Sequence, residues 1–173
     1  MATETRLIRV DDADALTELL IANREFLAPM SPVSPDDFYT IDAQRDWIGK
    51  ALEGAANGEY YPFVILDSGR LIGRITLSNV IRHNLLSCTI GYWVDERHNG
   101  SGHATAAVEQ LCRYAFDELG LHRVEAGTLI GNLPSQRVLA KAGFVQYGLA
   151  PKFLKIADFW QDHVLFQRLS DQE

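Results

Sequence analysis

Gly91-Tyr92-Trp93-Val94-Asp95-Glu96-Arg97-His98-Asn99-Gly100-Ser101-Gly102-His103-Ala104 runs from an apolar strand, through a glycine-punctuated loop, into an alanine-rich helix. A strand-loop-helix junction with small residues in the loop aims several backbone N–H groups at one point, which is how a chain holds a phosphate. The loop reads Arg97-x-x-Gly100-x-Gly102. No Gly-Lys-Ser/Thr closes it, so it is not a Walker loop, and its glycine spacing is not that of the dinucleotide fingerprint. Glycines at 100 and 102 allow close approach and unusual dihedrals. Asn99 to Ala104 can present N–H groups where a helix dipole adds roughly 0.3–1 kcal/mol per charge. Thr105 adds a hydroxyl. Arg97 is either a positive charge for that anion or a solvated loop residue.

Working outward, Thr5–Val10 alternates as a first strand, and Asp11 or Asp12 caps a helix over Ala13–Phe26 with Leu16, Leu19, Leu20 and Phe26 on one stripe. Pro29, Pro32 and Pro35 open a loop, and a second helix spans Asp42–Ala56. Tyr61–Leu66 and Arg70–Ile81 form a hairpin across Asp67-Ser68-Gly69, and Leu85–Val94 is a third antiparallel partner. The helix after the glycine loop covers Gly102–Leu119 and stops at Gly120. His122–Leu129 is a strand. Leu133–Ala142 is a short helix, capped by Asn132, with Pro134 in its first turn and Gly143 ending it. Phe144–Leu149 and Val164–Leu169 are the last strands. The order β-α-α-β-β-β-α-β-α-β-β predicts an α/β (α+β) domain with a mixed, mostly antiparallel sheet of about seven strands and helices on both faces.

Composition agrees. The chain has 173 residues, 47% of them hydrophobic, which predicts one domain over residues 1–173. No apolar run is long enough for a transmembrane helix, and no basic-then-apolar leader opens the chain. Cys88 and Cys112 lack metal-ligand spacing, so no metal is expected, and they read as reduced core residues of a cytoplasmic protein. A net charge of −7 disfavours nonspecific nucleic-acid binding and suits a cationic amine or basic peptide, or simply keeps the chain soluble.

The Arg97–Gly102 loop and the element order resemble the GNAT acetyltransferases along nearly the whole chain. Further stretches are similar to the RimJ/RimL group, which acetylates the N-terminal amines of ribosomal proteins: Asn23-Arg24-Glu25-Phe26-Leu27, Gly91-Tyr92-Trp93-Val94, Leu121-His122-Arg123-Val124-Glu125-Ala126, Asn132-x-x-Ser135, Lys141-Ala142-Gly143-Phe144 and Trp160-Gln161-Asp162-His163. The first and last stand closer to RimJ. The resemblance implies acetyl-CoA as co-substrate, its pyrophosphate on Arg97, His98, Asn99, Gly100, Ser101, Gly102, His103, Ala104 and Thr105. It implies pantetheine lying beside Trp93–Asp95, the Val94 N–H or its neighbour polarising the acetyl carbonyl, and Asn132 holding a pantetheine amide. It places the Ser135 hydroxyl near the thioester sulfur, as proton donor to the departing thiolate. Read without the resemblance, Asn132 and Ser135 serve equally as helix caps.

The base is less well marked. A free α-amine has a pKa of about 7.7–8.0, so even a modest base would help. RimL-type enzymes carry a glutamate where Leu154 stands here. Glu125 is the first substitute, sharing a strand face with Gly127, where a related group carries its glutamate; it can equally pair with Arg123 as a structural charge. Glu25, Glu96 and Asp162 are weaker candidates. His83 reads as an exposed turn residue, His103 as a cofactor contact or packing residue, and His122 and His163 as strand residues with structural partners. Phe26, Met30, Phe38, Tyr39 and Trp47 are expected along the acceptor cleft, with Trp160 and Asp162 at its edge. The acceptor is then a protein N-terminus or a small amine such as an antibiotic or polyamine. A noncatalytic CoA-binding module is the rival from another class. Dimers are common in the group, though no interface stripe marks one.

Overall fold

The computed structural model describes residues 2–171. Seven strands form one sheet: β1 (Thr3–Leu7), β2 (Tyr61–Asp67), β3 (Arg70–Ile81), β4 (Ser87–Val94), β5 (Arg123–Leu129), β6 (Val145–Ile156) and β7 (Phe159–Leu169), in the order β1-β2-β3-β4-β5-β7-β6. Every neighbouring pair is antiparallel except β4 and β5. The helices are α1 (Ala13–Ala22), α2 (Arg24–Leu27), α3 (Ile41–Ala56), α4 (His103–Arg113) and α5 (Leu133–Lys141). This is the mixed, mostly antiparallel architecture expected from the sequence.

Alternation along the strands feeds two cores. Ile75, Leu77, Ile90, Val94, Val124, Ala126, Val164 and Phe166 pack on one face with Ala107, Val108 and Leu111 of α4 and Leu139 of α5. Val64 and Leu66 pack on the other with Leu16 and Leu20 of α1 and Ile48 of α3. Each such aliphatic side chain contributes about 1.5–3 kcal/mol on burial.

Four boundaries differ from expectation, each for a local reason. The first strand ends at Leu7, because Asp12 draws the chain into a turn by accepting from the Arg9 N–H at 2.7 Å and from both terminal nitrogens of Arg6 at 2.6 and 2.7 Å. The first helix stops at Ala22, where the buried Asn23 amide donates to the Leu19 carbonyl at 2.9 Å. The fourth helical segment loosens into a π turn over Tyr114–Glu118, with the Leu119 N–H reaching the Tyr114 carbonyl. The final hairpin is far longer than Phe144–Leu149 and Val164–Leu169. Bulges at Gln146/Gly148 and Ala150/Leu154 disrupt its alternation, and Ala157 and Asp158 both turn with positive φ and no glycine.

The Asp12 cluster carries a pH dependence. Burial pushes the Asp12 carboxyl up, but the bonds from Arg6 and the Arg9 amide outweigh it and hold the group below its ordinary value. A depressed carboxylate stabilises the fold above its unfolded pKa, and that contribution is lost as pH falls through the folded one. Asp12→Asn should therefore cost roughly 1.5 kcal/mol at neutral pH and much less in acid, read from urea midpoints across pH.

Candidate active site

Strands β4 and β5 pair only at Ser87–Arg123, Cys88–Val124 and Thr89–Glu125, then separate. Two hydrogen bonds fix which backbone groups face the resulting gap. The Leu86 carbonyl accepts from the Arg123 N–H at 3.0 Å, on the β5 side, whereas the Asp95 N–H donates to Ile72 at 2.7 Å, on the β3 side. With a two-residue period, Tyr92 and Val94 turn their N–H and C=O groups toward β5, and Gly127 turns its own toward β4. The gap opens into a cavity of about 780 Å³. Ile90–Val94 and Ala126–Leu129 form two of its walls.

The loop after β4 is built around Asp95. Its buried carboxylate accepts from Arg97 Nε at 3.1 Å and meets His98 Nδ1 at 3.0 Å, while its carbonyl accepts from the His98 N–H at 2.8 Å. Burial raises the Asp95 pKa, and the bonds from Arg97 and His98 outweigh it, so the group stays anionic. Asn23 ties this loop to the helical layer, its Oδ1 accepting from the Glu96 N–H at 2.9 Å. Gly100 and Gly102 have φ of 78° and 85°, and a Cβ on either would stand in open space. No side chain caps α4 at Gly102, so the first-turn amides of His103, Ala104 and Thr105 have no partner within the helix. The His103 ring is buried as an anchor, with Nδ1 2.9 Å from Thr3 Oγ1 and Nε2 3.7 Å from an Asp67 oxygen.

Such an arrangement of free helix-start amides and glycines can hold an anion. His98, Asn99, Gly100, Gly102, His103, Ala104 and Thr105 all line the cavity. Arg97 and Ser101 do not, and Arg97 is committed to Asp95, so its charge goes to shaping the loop. The cations that reach the cavity wall are Arg137 and Lys141, one turn apart on α5. Their spacing of four residues placed them on one helix face, but nothing in the sequence aimed that face at the loop.

Asn132 caps α5 by accepting from the Ser135 N–H at 3.2 Å, and its amide nitrogen reaches Met30 Sδ at 3.5 Å. The cap accounts for Asn132 but leaves the Ser135 side chain unassigned. That hydroxyl lies 2.9 Å from the Tyr92 hydroxyl, which also donates to the Ser135 carbonyl at 3.3 Å. Tyr92 was singled out only as part of a motif. Burial pushes its pKa up to about 12, against the opposing bond to Ser135, so it keeps its proton at neutral pH. Both residues line the cavity.

On the other face of the gap stand His163 and Leu154, beneath Phe26, Leu27, Met30 and Pro32. Glu125 is not there. Its carboxylate accepts from Arg123 Nε and from the Tyr147 hydroxyl, both at 2.9 Å, and it lies outside the cavity wall, which removes the geometric basis for a base at this position. Glu25 and Glu96 are likewise off the wall. Phe38, Tyr39 and Trp47 are packed against the second core instead of lining the cleft. Cys88 and Cys112 are buried, which pushes both thiols up to about 12 and leaves no reactive thiolate. Met30, Leu129, Asn132 and Pro134 also border an outer groove, whose far side carries Trp160, Gln161 and Asp162. Asp162 there accepts from the Lys152 N–H at 2.8 Å. Among the described residues, no helix is long and apolar enough to cross a membrane.

Residues 4–145 match the family model for the acetyltransferase (GNAT) domain. A probable N-acetyltransferase of Bacillus subtilis, YjcK, is 41% identical over 170 residues, covering 97% of this chain and 94% of the relative. The ribosomal protein uS5-alanine N-acetyltransferase of Escherichia coli is 30% identical, over 92% of this chain and 84% of its own. Among solved structures, Mycobacterium smegmatis RimJ in complex with CoA-disulfide superposes with a TM-score of 0.95 at 31% identity, covering 98% of this chain and 83% of that one.

Proposed function

The chain belongs to the GNAT acetyltransferases, enzymes that use acetyl-CoA, and from that premise we propose that it acetylates the N-terminal amine of a protein, a ribosomal protein in particular. The observation that carries this reading is the gap between β4 and β5, which has an anion-binding loop and a hydroxyl pair on one side and an outer groove bordered by Met30, Trp160 and Asp162 on the other. The identity shared with the uS5-alanine N-acetyltransferase over 92% of the chain supports the ribosomal acceptor.

Acetyl-CoA supplies an activated thioester carbonyl. The residues present suit it: open Cβ positions at Gly100 and Gly102, free amides at the start of α4 and two cations on α5 fit a phosphorylated nucleotide. The backbone of Tyr92 and Val94 offers a strand edge to the pantetheine amides, and Asn132 stands beside it. The Val94 N–H, directed into the gap, stabilises the negative charge that develops on the carbonyl oxygen. As the C–N bond forms and the C–S bond breaks, Ser135 gives its proton to the departing sulfur, and Tyr92 holds the hydroxyl in place for that transfer.

Tyr92→Phe removes that hold while keeping the ring, and should lower kcat about tenfold with little change in acetyl-CoA affinity. Because Tyr92 stays protonated to about pH 12, the wild-type rate should show no alkaline loss from this group in any ordinary assay range.

The assay for the reading is thiol release from acetyl-CoA with peptides beginning Ala, Ser, Met or Asp, their N-blocked versions and a panel of small amines. Turnover that requires a free Ala or Ser terminus supports it. Turnover with small amines alone would replace the acceptor.

A further inference from the structure

We propose that His163 is the general base that takes the proton from the acceptor amine. The assignment rests on the acetyl-transfer reading above and concerns the half of the reaction that reading leaves open. Read as a strand residue, His163 is an ordinary member of β7; the structure puts it on the cavity wall, nine-tenths and more buried.

Three observations support the role. First, His163 Nδ1 lies 3.1 Å from the Gln161 carbonyl oxygen. A carbonyl only accepts, so Nδ1 carries the hydrogen and Nε2 is left with its lone pair. No described residue hydrogen-bonds to Nε2. Second, the ring edge carrying Cδ2, the carbon bonded to Nε2, stands over β5 at the cavity wall: a Cβ placed on Gly127 would be 3.7 Å from His163 Cδ2. Gly127 has no side chain, so this edge of the imidazole is not covered from β5. Third, His163 and Ser135 occupy opposite faces of the sheet but border the same cavity. His163 stands on the face of Gly127 and Phe153, and Ser135 on the face of α5. A proton can therefore leave the amine on one side while another reaches the sulfur on the other.

Other titratable groups do not compete for this position. On β5, Arg123 and Glu125 are bonded to each other, and on β6 the Tyr147 hydroxyl is bonded to Glu125. The Asp162 carboxylate next along β7 accepts from the backbone N–H of Lys152, and of the two lysines on β6 near this bulge, Lys152 and Lys155, the second is paired with Asp158 at 3.3 Å. Phe153 covers one side of the ring, with centroids 5.3 Å apart. The cleft wall beside it is apolar, from Leu154 and Ile156. The transfer balances simply. Nε2 gains the proton that the ammonium loses, and the imidazolium returns it to water. The neutral amine forms the new C–N bond, and the second proton that the nitrogen sheds as the amide forms replaces the one Ser135 has given to the sulfur. Ammonium and thioester thus become amide, thiol and one released proton.

His163→Gln should lower kcat about 10²- to 10³-fold on an Ala-initiated peptide at neutral pH, with acetyl-CoA affinity by calorimetry unchanged. The variant's rate should follow the ionisation of the acceptor amine alone, in a profile not parallel to the wild type's. On the same peptide carrying an N-terminal aminooxyacetyl group, whose nitrogen is already neutral, the deficit should largely disappear. Histidine nitrogen NMR of the wild type should show the Nδ1–H tautomer for the residue whose signals vanish in the variant. An equal loss on both acceptors, a parallel pH profile, or the Nε2–H tautomer would overturn the assignment. Running a small primary amine beside the peptides separates the two claims. Wild-type turnover on that amine alone refutes the peptide acceptor and leaves His163 to be read on the amine; wild-type inactivity on every acceptor refutes both.

Discussion

Ser135→Ala is expected to lower kcat about 10²-fold while acetyl-CoA affinity stays the same. The separation follows from what each atom of Ser135 does. Its backbone N–H donates to Asn132, and that bond, which starts α5, survives the substitution. Only the hydroxyl is lost, with its 2.9 Å contact to Tyr92. If the hydroxyl protonates the departing sulfur, the penalty falls on the chemical step and not on binding, so kcat and kcat/KM for acetyl-CoA drop together. A kcat within twofold of wild type would leave Ser135 as a cap residue, and a raised Kd with normal kcat would make it a binding residue. Stopped-flow or single-turnover rates with a saturating peptide distinguish these cases.

Gly73→Ala should damage stability and catalysis together. Gly73 sits on β3 opposite Val94, and a Cβ there would come within 2.4 Å of the Trp93 carbonyl oxygen and 3.0 Å of Val94 Cα. Both are backbone atoms, so no rotamer relieves the contact, and β4 itself must move. We expect a loss of about 3 kcal/mol from the overpacking. The displaced segment carries the Val94 amide that faces the gap, so the surviving folded fraction should also bind acetyl-CoA more weakly and turn over more slowly. Thermal unfolding with and without acetyl-CoA measures both effects. Wild-type stability would mean that β4 can shift here at little cost.

Ser135 and the residues around it show what the sequence could and could not convey. Ser135 was visible because a cap pattern, Asn-Leu-Pro-Ser ahead of a helix, is local. So was the anion loop, where glycines and the helix start are adjacent in the chain. Tyr92 was not: its partner lies 43 residues away on a helix, and strand alternation gives a side chain's face without saying what crosses it. For Arg97 and Glu125 the sequence leaves a functional and a structural use open. The structure decides for the structural one: each is held by a neighbour two residues away, Arg97 by Asp95 and Glu125 by Arg123, the latter the pairing already read from the sequence. His163 was obscured by the bulged hairpin, whose shifts in register at Ala150/Leu154 decide what stands over β5 and leave no periodic trace. The element order was legible because alternation and helical spacing are properties of short windows; the extent of the last hairpin, with a glycine-free turn at Ala157–Asp158, was not.

The most direct measurement is where the acetyl group ends up on a peptide that offers two choices. A peptide with a free N-terminal alanine and an internal lysine, incubated with enzyme and acetyl-CoA, should yield a fragment spectrum with the acetyl group on the first residue only. Acetyl on the lysine, or none on a peptide while a small amine is consumed, would contradict acetylation of a protein N-terminus.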